Sequence, residues 1–117
     1  MDFKFHYDEK NDVLVIYNAV RNVEESVQIS EDIVLDFDKD DKINGVEIFY
    51  ASEFFGALND NINRGFLKDL NAASFEYKEF RNQWFITIAL LSRKRKIYQP
   101  MPLLRKSEYI SPLIASQ

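Results

Sequence analysis

The side chains whose types and spacing carry the most chemistry are acids. Asp36, Asp38 and Asp40 stand at alternate positions, with Ile43 and Glu47 further on. Numbered from Asp36, they fall at positions 1, 3, 5, 8 and 12 of an EF-hand loop, where oxygen ligands hold a hard cation. Position 6 of such a loop turns sharply and needs glycine, and here it is Asp41. The flanking residues 34–37 and 46–48 read as strands rather than helices. A β-hairpin with an acidic turn is therefore the preferred reading, with Asp36 and Asp38 pointing away from Phe37. Adjacent acids also occur at Glu24-Glu25, Glu31-Asp32 and Asp40-Asp41. Acid–base catalysis needs two carboxyls held apart in a water-poor cleft, whereas neighbours in turns and edge strands are solvated and serve solubility.

Other chemistries lack a carrier. The chain contains no cysteine, which removes thiol nucleophiles, disulfides and cysteine-based metal centres. His6 is the sole histidine, and its alternation with Phe5 and Tyr7 puts it on the polar side of a strand. The three glycines, Gly45, Gly56 and Gly65, form no phosphate-cradling loop, dinucleotide fingerprint or nucleophile elbow. No catalytic residue, cofactor or metal is therefore assigned, and the protein reads as a non-enzyme. The basic residues concentrate at Arg93, Lys94, Arg95 and Lys96, with Arg105 and Lys106 nearby. Trp84, Tyr98 and Tyr109 surround them, and basic-plus-aromatic is a footprint of single-strand nucleic-acid binding. The competing reading makes residues 93–96 a solvated hairpin tip and Trp84 part of the core row Trp84, Ile86, Ile88, Leu90.

The elements that must position these residues follow from periodicity. At 117 residues, 46% hydrophobic and 29% charged, the chain is long enough for one folded domain with its own core. Its net charge of -4 hides an asymmetry. Residues 1–60 hold 15 acids and 5 bases, and residues 61–117 hold 4 acids and 10 bases, so the halves carry -10 and +6. Such a division closes within the fold or is presented to a partner. Period-2 alternation marks strands at residues 3–7, 27–29, 33–37 and 46–50, and the apolar run 13–17 reads as a strand covered on both faces. These predict an antiparallel meander with an acidic outer face. Phe54, Leu58, Ile62 and Phe66 form a helical stripe with Ser52 as N-cap. One long helix, or two short ones broken near residues 59–63, would satisfy it. Strands are expected again at residues 75–81, 84–91 and 96–103, with turns at Asn82-Gln83 and 92–95. Pro100 and Pro102 make the last strand an edge, because each removes a ladder donor. The tail beyond Arg105, with Tyr109, Ile110, Leu113 and Ile114, is expected to dock.

Residues 5–55 carry a resemblance. Tyr7-Asp8, then Asp12-Val13-Leu14-Val15-Ile16, then Glu24-Glu25-Ser26, residues 30–38, and Gly45-Val46-Glu47-Ile48 leading to Ala51-Ser52 occur in order. This pattern is similar to a widespread family of short bacterial and archaeal domains of unknown function. The family usually has glycine where this chain has Asp41, and an acid or amide where it has Tyr50. Asp is one of the few non-glycine residues that visits the left-handed region. The resemblance brings no accepted activity and no catalytic residue. Some family members accompany small toxin-like ribonuclease genes, which implies an antitoxin-type role beside a small basic protein. The basic half from Arg64 onward has no counterpart in short members and is read as an extension.

The expected architecture is a single α+β domain: a mainly antiparallel sheet of about six or seven strands, with one or two short helices on one face. Residues 1–55 form the acidic family-like part and 56–117 the basic extension. The expected function is binding, through a homodimer or a small protein partner by way of a sheet edge. Nucleic-acid binding at Arg93, Lys94, Arg95 and Lys96 is the alternative. The polar start Met1-Asp2-Phe3-Lys4 and the absence of an 18-residue apolar stretch predict a cytoplasmic protein without a membrane partner.

Overall fold

The structure is a computed structural model and describes residues 2–20 and 22–106. Its first half forms β1 (Phe3–Asp8), β2 (Val13–Asn18), β3 (Glu25–Gln28), β4 (Ile33–Phe37) and β5 (Ile43–Phe49). Helices α1 (Ala51–Leu58) and α2 (Arg64–Lys68) follow. The second half adds β6 (Leu70–Glu79), β7 (Gln83–Ser92), β8 (Lys96–Pro100) and the two-residue β9 (Leu104–Arg105). The α+β class holds, but the strands form two sheets instead of one. The first is ordered β1-β2-β5-β4-β3 and the second β6-β7-β8, with β9 also on β7. Every pairing is antiparallel. The expected meander is interrupted, because the chain leaves β2 for the far edge and β5 then returns to pair with it.

Alternation explains the packing. Leu14, Ile16, Ile33, Leu35, Phe37, Val46 and Ile48 point inward from the first sheet, and Trp84, Ile86, Ile88 and Leu90 from β7. One buried cluster includes both sets together with Phe55, Ile62 and Leu67 from the helical segment. Each large side chain so buried contributes about 2 kcal/mol of transfer free energy. Aromatic contacts tie the sheets together: Phe3 meets Phe75 edge-on at 5.0 Å between centroids, and Phe37 meets Trp84 at 5.6 Å.

Several local expectations change. The helical stripe divides into two helices, and the buried residues are Phe55 and Leu67 rather than Phe54 and Phe66. Ser52 is not the cap: α1 starts one residue earlier, after Tyr50, and Ser52 lies inside its first turn. β6 begins at Leu70, five residues before the predicted strand, and Gln83 belongs to β7 rather than to the turn. The expected strand 96–103 stops at Pro100, and the chain resumes pairing with β7 at Leu104. Met101 keeps one bond across the break, donating its N–H to Ile86 O at 2.8 Å. Pro102 cannot donate, so the ladder breaks there. The residues 109–114 expected to dock lie outside the described residues.

Candidate functional site

Three groups of side chains merit comparison, beginning with the turn between β1 and β2. Asp12 is buried and left-handed, with φ 56°. Its carboxylate accepts from Tyr7 Oη at 2.6 Å and from Ser52 Oγ at 2.7 Å. The Ser52 N–H, one of the unpaired donors of the first turn of α1, reaches it at 3.1 Å. Asp12 O also accepts from Ala51 N–H at 2.8 Å. Arg64 Nη2 stands 3.7 Å from the carboxylate. Burial pushes this carboxyl upward, but the donors from Tyr7 and Ser52 and the Arg64 charge outweigh it and hold it below its ordinary value. Burial, followed by the bond to Asp12 and its charge, raises the Tyr7 phenol. The first residues of the family-like pattern thus converge on a helix cap supplied from forty residues away. The basic half closes over it, since Arg64 Nη1 donates to Glu9 O at 2.7 Å and Lys68 pairs with Glu9 at 3.4 Å.

The second group lies on the outer face of the first sheet. Asp36 pairs in register with Ser26 and Gly45, while Glu47 pairs with Val15 and Val34. Ser26 Oγ donates to Asp36 Oδ1 at 2.6 Å. Burial, a hydrogen bond to Asp36 and the Asp36 charge push Glu47 up to about 7. In its protonated form Glu47 can donate to Asp36. Gly45 makes room for them, because a Cβ there would lie 2.8 Å from Asp36 Oδ2. The resemblance places Asp36, Gly45 and Glu47 in its pattern, but strand pairing is what brings them together. Sequence reasoning sought acid pairs among neighbours and missed this one; the usable signal was that Asp36 and Glu47 share an outer face across a hairpin.

The EF-hand spacing does not build a loop. Asp38 Oδ1 accepts from the N–H groups of Asp40 and Lys42 at 2.9 and 3.0 Å, closing a tight turn. Asp41 is left-handed at φ 62°, the conformation that glycine would otherwise supply. Among the described residues, no group of three or more His, Asp or Glu side chains is arranged to hold a metal ion.

The third group is on the second sheet. Arg93, Lys94, Arg95 and Lys96 are all exposed at the β7–β8 turn, which Ser92 closes by donating its N–H to Arg95 O at 2.8 Å. Lys96 Nζ sits 5.0 Å from the centroid of the Tyr98 ring, and that ring is 57% exposed. Trp84, at 3% exposure, belongs to the core and cannot stack on a ligand. Tyr109 lies outside the described residues. Beside this turn runs an apolar stripe: Phe85, Thr87, Ala89 and Leu91 on the outer side of β7, with Tyr98 and Pro100 paired against it from β8. Leu103, which immediately precedes β9, is 52% exposed.

Residues 4–52 match the model of a family described as a protein of unknown function (DUF2283). The match covers the first sheet and stops inside the first turn of α1, so the resemblance seen in residues 5–55 is shown. An uncharacterized protein of Methanocaldococcus jannaschii is 29% identical over 68 residues, which is 58% of this chain and 58% of that relative. The chain therefore aligns with little more than half the length of the curated relative it matches. No solved structure matches it significantly. No helix among the described residues is long and apolar enough to cross a membrane.

Proposed function

We propose that this protein is a non-catalytic binding module that associates with a second copy of itself through the outer face of the second sheet. The observation that carries the reading is the two-strand apolar stripe along β7 and β8, with Phe85 at 37% and Tyr98 at 57% exposure. Its charges stand at the rim, Glu76 and Lys78 on β6 and Lys96 on β8. An apolar centre with a charged border is the anatomy of a protein interface. Glu76 and Lys78 carry opposite charges two positions apart, so a twofold axis can set each against its opposite in the partner. The occupied state of the acids supports a non-catalytic reading: Asp12 caps a helix, Asp38 closes a turn, and Asp36 is engaged by Ser26 and Glu47. The contact uses a sheet face, where periodicity alone pointed to an edge. Tyr98→Glu and Phe85→Glu are expected to lower the mass measured by light scattering while leaving the melting temperature of the isolated chain unchanged. An unaltered mass for both variants would reject the surface.

A second reading, nucleic-acid binding, is favoured by the exposed Arg93, Lys94, Arg95 and Lys96 beside the Tyr98 ring. It predicts a gel shift with single-stranded RNA that weakens with added salt. Alanine at all four basic positions would abolish the shift. Equal retardation of wild type and variant would remove this reading.

A further inference from the structure

We propose that the cleft between the two sheets binds a small monocarboxylate with an apolar body. The cleft measures about 590 Å³ and opens where β1 and the β4–β5 hairpin face β6. Phe3, Ile43 and Phe75 line it, with the rings of Phe3 and Phe75 already packed edge-on. That volume falls in the range of small-molecule sites, whose walls are apolar and whose few polar groups set orientation.

The polar groups are gathered at one place. Tyr77 Oη accepts the Ile43 N–H at 3.1 Å, which leaves the hydroxyl hydrogen to be donated and fixes it within one residue of Lys42. Lys42 is exposed, lines the cleft and makes no ion pair among the described residues. The Asn18 amide adds a further polar group at the rim. A cation and a hydroxyl donor beside an apolar slot recognise an anionic head on an apolar body. Glu76 also borders the cleft. It alternates out of the row formed by Phe75 and Tyr77, so its carboxylate belongs to the outer face with Thr87 and Phe85. With Lys42 as the cation that lines the cleft, one carboxylate is the head that fits. This inference does not depend on self-association, because the cleft and the β7 stripe lie on opposite faces of the second sheet.

The test is a titration of the full chain with octanoate, octanol and octylamine, followed by amide NMR shifts. Octanoate is expected to give saturable shifts at Phe3, Ile43, Phe75 and Tyr77 and to bind more tightly than either other head group. Lys42→Gln, a change at an exposed position, should weaken octanoate roughly tenfold, as for one charge-assisted hydrogen bond, and leave octanol unchanged. Tyr77→Phe should weaken octanoate while keeping the aromatic wall. The proposal is overturned if octanoate gives no saturable shifts, or if the shifts fall on the outer face of β7. Equal affinity of octanoate and octanol in wild type and Lys42→Gln would overturn it as well.

Discussion

The two sheets treat their outer faces differently. On the first sheet, acids from separate strands are brought together and engaged by groups of the same chain: Asp36 accepts from the Ser26 hydroxyl and lies beside Glu47, whose carboxyl is raised. At one end of that sheet, Asp12 is met by Tyr7, Ser52 and Arg64. On the second sheet, the outer side of β7 is apolar, and among the described residues no element covers Phe85, Tyr98 or Leu103. A face whose polar groups are satisfied internally has its energetics directed at the fold. A face left apolar gains only when something else covers it. Changes on the first sheet should therefore move stability and leave assembly alone, and changes on the second should do the reverse.

The largest stability effect is expected at Asp12. Asp12→Ala removes the acceptor for Tyr7 Oη, Ser52 Oγ and Ser52 N–H and places alanine at a left-handed position. Urea unfolding should show a loss of about 3 kcal/mol, with a smaller loss for Asp12→Asn, which tolerates that backbone and keeps an acceptor. If Asp12→Ala unfolds at the wild-type urea concentration, the cap contributes nothing.

Gly45→Ala comes next, at about 2 kcal/mol, because the new methyl meets Asp36 Oδ2 at 2.8 Å and Ile16 O at 3.3 Å. The clash with the carboxylate is specific, so the cost should shrink when Gly45→Ala is combined with Asp36→Ala. Strict additivity in that double-mutant cycle would place the strain elsewhere.

The two acid centres should also respond oppositely to pH. Glu47 is raised from 4.5 to about 7 in the fold, so the native state holds the extra proton between those values. Its contribution falls as pH rises through that window, since stability declines wherever the native state binds more protons. Asp12 is lowered from 3.8, so its contribution is present above that value and is lost as pH falls through its folded value. Glu47→Gln keeps a donor for Asp36 without titrating. It should remove the decline toward alkaline pH and stabilise the protein by about 1 kcal/mol near pH 8, after allowance for solvent screening. A wild-type stability that rises steadily from pH 4.5 to 8 would contradict the raised Glu47 carboxyl.

A gain of similar size, about 1 kcal/mol, is expected from Tyr50→Asn. Tyr50 is left-handed at φ 52° and 59% exposed, so a bulky side chain holds a conformation that asparagine adopts more readily and loses little packing on replacement. An unchanged or lower melting temperature would show that its ring contributes contacts that outweigh the strain.

These cases show how far the sequence could be read. Alternation at residues 3–7, 33–37 and 84–91 identified strands because a half-buried strand enforces period 2 in side-chain polarity. It did not show that β5 lies between β2 and β4, since strand order depends on which faces pack and leaves little trace in any one strand. The Ser52 reading failed for a similar reason. Its type suits a cap, but the carboxylate that meets the helix start comes from Asp12, and Tyr50 occupies the cap position itself. The Arg93, Lys94, Arg95 and Lys96 turn was legible because hairpin tips are local. The cleft at Lys42 and Tyr77 was not, because Tyr77 lies thirty-four positions from Ile43, the neighbour of Lys42. The chain's -10 and +6 halves do meet within one molecule, at Arg64 and Lys68 against the β1–β2 turn. The four basic residues at 93–96 take no part in that closure.

The mass of the wild-type protein in solution tests the central claim most directly. Light scattering across a concentration series at physiological salt should give twice the 13.8 kDa chain mass, returning to the single-chain value for Tyr98→Glu. A constant 13.8 kDa at every concentration would contradict self-association through the second sheet.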